Sequence, residues 1–534
     1  MKLSWARFLF AFIFSAWLCA AAHAQAGQTI QCDLCVFGAT SAGVAAAVEA
    51  AREGRNVVLT EYGAHVGGLT AGGLSQTDIG NKDAIGGLAR EFYQRLGRHY
   101  GTNEVWKFEP SAAESVFNNL LNESHVRVYF HQHLASVQTN RARIQSLTMQ
   151  DGTIFQARVF IDASYEGDLM AKAGVSYTIG READSVYHET LNGIRAQTPK
   201  HQFAVVVDPY LKPGDASSGL LPLIQNQPLG EPGQGDDSEQ AYNFRLCLTQ
   251  SPTNKMPIDP PADYDPARYE LLARYIEALV AAGHLVSLGQ FIHIQPMPNG
   301  KTDINNNGAF STDFIGGNTG YTDGSDAQRA RIWQAHEDYT RGFLHFLATS
   351  PRVPHALRAE MQSWGLCKDE FTDTGGWPHQ LYIREARRMV SDYVMTENNC
   401  RFSLTLPDPI GLAAYTMDSH NCRRIVRDGR VENEGDVQIG GFPPYQISYR
   451  SIVPREIQCE NLLVPVCLSA SHIAYGSIRM EPVFMVLGQS SAIAAGLVLD
   501  EKVAIQRIQY DELHRRLLAA RQILVWPVRP ADPK

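Results

Sequence analysis

The chain has 534 residues, 44% of them hydrophobic, with a formal net charge of −9 and no low-complexity tract. A chain of this length exceeds the roughly 100–200 residues of a single domain, and its composition excludes a fibre or a disordered polymer. The acidic balance, without any basic stripe, argues against nucleic acid as a partner, because that binding depends on neutralising phosphates.

Residues 1–24 read as a cleavable secretory signal. Lys2 and Arg7 form a short positive region, 8–18 is a run that is apolar apart from Ser15, and Ala22-His23-Ala24 supplies the small residues of a cleavage site after Ala24. The apolar run is shorter than the ~20 residues of a spanning helix, so no stable membrane anchor is expected after cleavage. Leu18, ahead of Cys19, stands where a lipidation signal needs a small residue. Cleavage removes two cations and no acid, which leaves a more acidic mature chain, periplasmic or secreted. Of the remaining cysteines only Cys32 and Cys35 lie close together; without a second pair they are expected to be buried thiols, and no metal site is predicted.

The first elements of the mature chain follow in quick succession. Residues 33–37 (DLCVF) predict a buried strand, 43–52 (GVAAAVEAAR) a helix ending near Gly54, and 56–60 (NVVLT) a second strand that runs into Glu61. The turn between strand and helix is Gly38-Ala39-Thr40-Ser41-Ala42-Gly43. Strand, glycine turn, helix, strand and acid form the first half of a dinucleotide-binding unit: Gly38 permits the turn, Gly43 the close packing of helix on strand, and the helix N-terminus offers its free amides to a pyrophosphate. Glu61 lies where a carboxylate accepts from ribose hydroxyls. Thr40 departs from the pattern, replacing the usual middle glycine. A second glycine cluster, Gly67-Gly68-Leu69-Thr70-Ala71-Gly72-Gly73, follows at once.

Further along, 126–130 and 157–161 predict strands joined through a hairpin around Gln150-Asp151-Gly152-Thr153. An insert over 175–408 opens with Pro- and Gly-rich turns and carries helical patterns over 266–282 and 326–347. Residues 461–464 (NLLV) form a buried strand leading to Ala470-Ser471-His472, and Pro482 opens a long helix of small residues.

These segments resemble the family of FAD-dependent oxidoreductases with a glutathione-reductase-type FAD domain, and more distantly the succinate dehydrogenase and fumarate reductase flavoproteins. The resemblance rests on the Gly-Ala-Thr-x-Ala-Gly turn and on Phe160-Ile161-Asp162-Ala163-Ser164-Tyr165-Glu166-Gly167-Asp168. Also similar are 240–248 (QAYNFRLCL), 301–308 (KTDINNNG), 382–388 (YIREARR), Asp418-Ser419-His420-Asn421 and Gly476-Ser477-Ile478-Arg479-Met480-Glu481-Pro482. It implies an α/β fold in which a Rossmann-like FAD-binding domain (30–174 and 409–500) is split by an α+β cap domain (175–408) and followed by a C-terminal helix and tail (501–534). It further implies that Ala163 closes over the cofactor, that the second glycine cluster, with Gly67, Gly68 and Thr70, makes another close contact to it, and that 476–481 lies against the flavin ring. There the helix N-terminus and Arg479 would favour the reduced, negatively charged form.

The expected activity is oxidation of a CH–OH or similar group of a small molecule, with saccharide derivatives among the candidates, by hydride transfer to FAD. His472 and His420 are the candidate bases, since histidine is poised for proton transfer near neutral pH. Asp303, Asn305 and Asn306 are candidate hydroxyl binders, although an asparagine-rich turn reads the same way. Tyr382 and Arg384 are candidate substrate clamps, although 384–388 also reads as a charged helix face. His65 is a candidate for a covalent flavin link. No second glycine turn with a following acid appears, so electrons are expected to pass to an external acceptor, and the signal lacks the twin arginine of the route for prefolded proteins. A carbohydrate-binding protein without turnover and a double-bond reductase remain open alternatives at this stage.

Overall fold

The computed structural model describes residues 27–196, 198–402 and 404–526; the expected signal and its cleavage point lie outside them. Five parallel strands organise the dinucleotide unit: β1 (Leu34–Phe37), β2 (Val57–Thr60), β3 (Arg127–Tyr129), β4 (Val159–Asp162) and β5 (Leu462–Leu463). Their spatial order is β5-β4-β1-β2-β3. β1, β2 and β4 are buried at every position, as expected of a parallel sheet covered on both faces, which is why they read as continuous apolar runs. Phe37 pairs with both Thr60 and Asp162, so three strands end level, and the order in which the chain adds strands reverses between β1 and β4.

The first helix (Ser41–Arg52) starts from Thr40, whose extended backbone and Oγ1, accepting the Gly43 N–H at 3.3 Å, make it an N-cap. It packs face to face on the last long helix (Glu481–Glu501). A Cβ at Gly488 would lie 2.1 Å from the Ala42 carbonyl oxygen, which explains the small residues on both helices. Among the described residues, the last long helix alone is long and apolar enough to cross a membrane, and its apolar length is entirely buried within the fold.

The predicted hairpin is corrected. The turn at Asp151-Gly152 joins Arg143–Met149 to Ile154–Gln156 within a meander that also contains Leu134–Asn140. β3 and β4 lie apart in the parallel sheet, where a tight hairpin cannot connect neighbours of the same direction.

Within the insert, five antiparallel strands pair in the order Lys255–Met256, Gly365–Cys367, Leu246–Thr249, Lys301–Asn306, Ile292–Pro296. Helices Glu270–Ala281, Asp326–Thr349 and His355–Ser363 accompany this sheet. The first begins with a 3-10 turn at Pro266–Tyr269, and the second is started by a capping box between Ser325 and Gln328. The charged run at 384–388 is not a helix face. Arg388–Met389 pairs as a strand with Tyr177–Thr178, and Arg384, Glu385 and Arg388 are fully buried because each finds a partner inside.

Candidate active site

Outside the carboxyl ends of β1 and β4, where open α/β sheets bind ligands, lies a cavity of about 560 Å³. Gly38, Thr40, Glu61, Gly68, Ser164 and Tyr165 line its inner wall. Gly38 has φ +93°, and a Cβ there would lie 2.8 Å from the Ser164 nitrogen; one at Gly43 would lie 1.9 Å from the Gly38 carbonyl oxygen. The turn therefore tolerates no side chain at either position. Thr40 donates to the Ala163 carbonyl at 2.7 Å, tying the turn to the end of β4. Gly67 donates to the Ala39 carbonyl at 2.7 Å, which brings the second glycine cluster onto the turn. Glu61 accepts from the N–H groups of Ala39 (2.7 Å) and Gly63 (2.9 Å); burial pushes its pKa up to about 7 against those bonds.

Glu481 joins these segments, a role that the sequence does not reveal. Its carboxylate accepts from Ser41 Oγ at 2.6 Å, Thr70 Oγ1 at 2.7 Å and the Tyr165 hydroxyl at 2.7 Å. Burial raises its pKa, while those hydroxyls oppose the shift. Pro482 marks a helix start, but nothing local indicates partners 316 to 440 residues upstream.

A second set of groups lies between the insert and the last helices. His420 Nδ1 is 2.7 Å from Asp313 Oδ2, and its Nε2 is 3.6 Å from Asp418 Oδ2. Burial and Arg384 disfavour the imidazolium, but Asp313 and Asp418 outweigh them, so the His420 pKa is raised. Burial also opposes ionisation of Asp313 and Asp418, yet Arg384 and His420 lower the first, and His420 and Arg479 hold the second well below the carboxylate range. Arg384 Nη2 is 2.9 Å from Asp313, and Arg479 donates to the Tyr382 hydroxyl at 2.7 Å and the Asp418 carbonyl at 3.0 Å. The Tyr382 ring lies 4.6 Å from the Arg384 guanidinium and 5.6 Å from that of Arg479. Five predicted residues or their neighbours thus converge: His420, Arg384, Tyr382, Arg479 and the Asp418 backbone, over which Gly476 packs.

The remaining predicted residues are placed differently. His472 is fully buried with both ring nitrogens engaged, Nδ1 by Glu385 at 2.8 Å and Nε2 by Ser419 at 2.9 Å. Although burial opposes it, His472 and Arg388 hold the Glu385 carboxyl down to about 2. Asp303 is taken up by Arg245 (2.8 and 2.7 Å) and by the N–H groups of Ser75 and Gln76, so it acts as a strut between the insert and the segment after the second glycine cluster, and not as a free hydroxyl binder. Asn305 accepts from Asn243 at 3.2 Å and is half-buried, while Asn306 is buried at the end of its strand. Ser477 bonds Tyr445 and the Tyr415 carbonyl, Ile478 is core, and Met480 precedes the last long helix as its N-cap. His65 lines the cavity, bridging Glu114 (2.9 Å) and Asp373 (3.0 Å) and stacked on His379. Cys32 and Cys35 are unpaired thiols, and no group of three or more His, Cys, Asp or Glu positioned for a metal occurs among the described residues.

The family described as FAD dependent oxidoreductase matches residues 33–517. The chain belongs to that family. Solved flavoenzyme structures are similar in part, all at low overall superposition. Thermovibrio ammonificans THI4 is 17% identical over 30% of this chain and 71% of that one, with a TM-score of 0.23. The 3-ketosteroid-delta4-(5alpha)-dehydrogenase of Rhodococcus jostii RHA1 is 16% identical over 27% and 48% (TM-score 0.20), and the L-amino acid deaminase of Proteus vulgaris 13% identical over 34% and 54% (TM-score 0.24). About half of the length of these last two proteins is therefore matched. No curated protein matches this chain.

The residues present fit FAD. Gly38, Thr40 and Gly68 bring bare or near-bare backbone to the cavity wall, the first helix presents its N-terminus to it, and Arg479 Nε, one residue ahead of the N-cap of the last long helix, is a buried donor without a protein partner. This FAD-dependent oxidoreductase thus has a groove for the dinucleotide at the carboxyl ends of its parallel strands.

Proposed function

We propose that this flavoenzyme oxidises a CH–OH group of a small hydroxylated molecule, saccharide derivatives being the class to test first, and passes the electrons to an external acceptor after export. The single observation that carries the reading is His420 held between Asp313 and Asp418. With Nδ1–H directed to Asp313, Nε2 is the accepting atom for a hydroxyl proton, and the paired carboxylates support the cation that forms. Of the two candidate histidines we assign this role to His420, because its Nε2 lies 3.6 Å from Asp418, beyond direct hydrogen-bond reach, whereas both nitrogens of His472 have partners within 2.9 Å. Bound FAD supplies the hydride acceptor. Arg384, Tyr382 and Arg479 line the same cluster and orient the substrate, and Arg479 with the N-terminus of the last long helix favours the charge that develops on reduction. Export is supported by the N-terminal sequence, and an external acceptor by the lack of a second nucleotide turn in the sequence.

The test is anaerobic bleaching of the flavin absorbance by aldoses, uronates and polyols. Bleaching by any of these, lost in His420→Gln with FAD still bound, supports the reading. A bound flavin that none of them reduces, but that reductants bleach while an activated alkene reoxidises it, assigns the reverse chemistry. Sequencing the N-terminus of the secreted or periplasmic protein checks export.

A further inference from the structure

The cavity beside Gly38 has two walls, and only one belongs to the dinucleotide unit. The opposite wall comes from the insert: Trp333 of helix Asp326–Thr349, and Trp377 and His379 of the loop that follows Gly365–Cys367. Trp377 is 3% exposed, and its Nε1 donor has no hydrogen-bond partner. Neither ring nitrogen of the neighbouring His379 has one either. Burial, with His65 adding to it, lowers the His379 pKa to about 4, so its ring is neutral and offers one donor and one acceptor. Leaving such groups unpaired costs about 1–3 kcal/mol each, so their coincidence in one cavity points to a ligand with complementary atoms.

Glu61, the expected ribose acceptor, lines the same cavity. A purine base has acceptor nitrogens, an amino donor and a flat face, and this wall of indoles and imidazole matches all three. We propose that the insert forms the outer half of the adenosine subsite, with Trp377 Nε1 and His379 bonding the base edge and Trp333 covering it, so that FAD is clasped between the two units. The insert is then a cofactor-retaining element as well as a cap over the substrate. Arg329, bound to Asp168 at 2.5 and 2.9 Å beyond the end of β4, holds this wall against the sheet.

The test compares FAD with FMN, which lacks the adenosine. FAD release from diluted holoprotein is followed by recovery of flavin fluorescence, and FMN binding to cofactor-stripped protein by quenching. Trp377→Phe, which keeps the bulk and removes the donor, and His379→Leu are each expected to speed FAD release about tenfold while FMN affinity stays within about twofold. If Trp377→Phe does not fold, His379→Leu, at a half-buried site, decides alone. Unchanged FAD release in the folded variants, or an equal loss of FMN affinity, overturns the proposal.

Discussion

The turn at Gly38–Gly43 and the cluster around His420 are about equally buried but are built on different principles. The first is made of backbone: glycines where no Cβ fits, a helix N-terminus and a threonine cap, all within a few residues of one another. The second is made of charged side chains from four distant segments, Asp313, Arg384, 418–420 and Arg479, that neutralise one another out of water. Backbone cradles fail by steric collision. Ionic clusters fail by leaving a charge unpaired, so the two regions respond differently to substitution.

The largest effect is expected at Gly43→Ala. Its Cβ would lie 1.9 Å from a backbone oxygen that cannot move without opening the turn, so the purified protein should be colourless; retention of stoichiometric flavin would show that the turn has slack. Next comes His420→Gln, expected to slow flavin reduction by about 10²–10⁴-fold with the visible spectrum intact, which stopped-flow absorbance reads directly. In the wild type, kcat/KM should rise with pH as His420 loses its proton, with an apparent pKa above the ordinary value of about 6.5. Asp313→Asn removes a carboxylate that raises it, so the rising limb should move to lower pH, and an unmoved limb would assign the base elsewhere.

Glu385→Gln tests the buried ion pairs next to that cluster, where Glu385 meets Arg388 and His472. It leaves Arg388 with one carboxylate fewer and should cost about 3–5 kcal/mol of stability. Because the folded pKa of Glu385 is depressed to about 2, its stabilisation is present above the ordinary value near 4.3 and lost as pH falls from there towards 2. The variant should therefore show a lower melting temperature at neutral pH and a shallower acid limb, and an identical acid limb would remove Glu385 from that account. The smallest change is Thr40→Gly, which restores the commoner glycine. Glycine caps a helix nearly as well, but the bond to the Ala163 carbonyl is lost, so a drop of about 1 kcal/mol with FAD retained is expected from thermal melts. Loss of the flavin would show that the Thr40 side chain, and not only the backbone of the turn, holds the cofactor, and so weaken the contrast between the two regions.

The same contrast explains what was legible beforehand. Strand, turn, helix and acid at 34–61 depend on near neighbours, so glycine spacing and apolar runs located them. The turn expected at 150–153 is present but joins Arg143–Met149 to Ile154–Gln156 instead of the strands at 126–130 and 157–161, because local turn chemistry marks a reversal without saying which strands it joins. For Arg384, Glu385 and Arg388 the sequence left a substrate clamp and a charged helix face both open, because charge spacing carries no information about partners such as Asp313 or His472, 71 and 87 positions away. Asp303 has the composition of a hydroxyl binder and became a strut once the fold set Arg245 beside it.

By itself, the sequence determined the FAD-type dinucleotide unit, the presence of an insert and the set of candidate side chains, since these follow from local geometry and from motif order along the chain. Only the tertiary structure decided which partners each histidine meets, which acid ties the two glycine segments to the last helix, and which part of the insert lines the cofactor groove. Those outcomes depend on burial and on the distances between residues far apart in the chain, which set pKa values and hydrogen bonds and leave no trace in residue spacing.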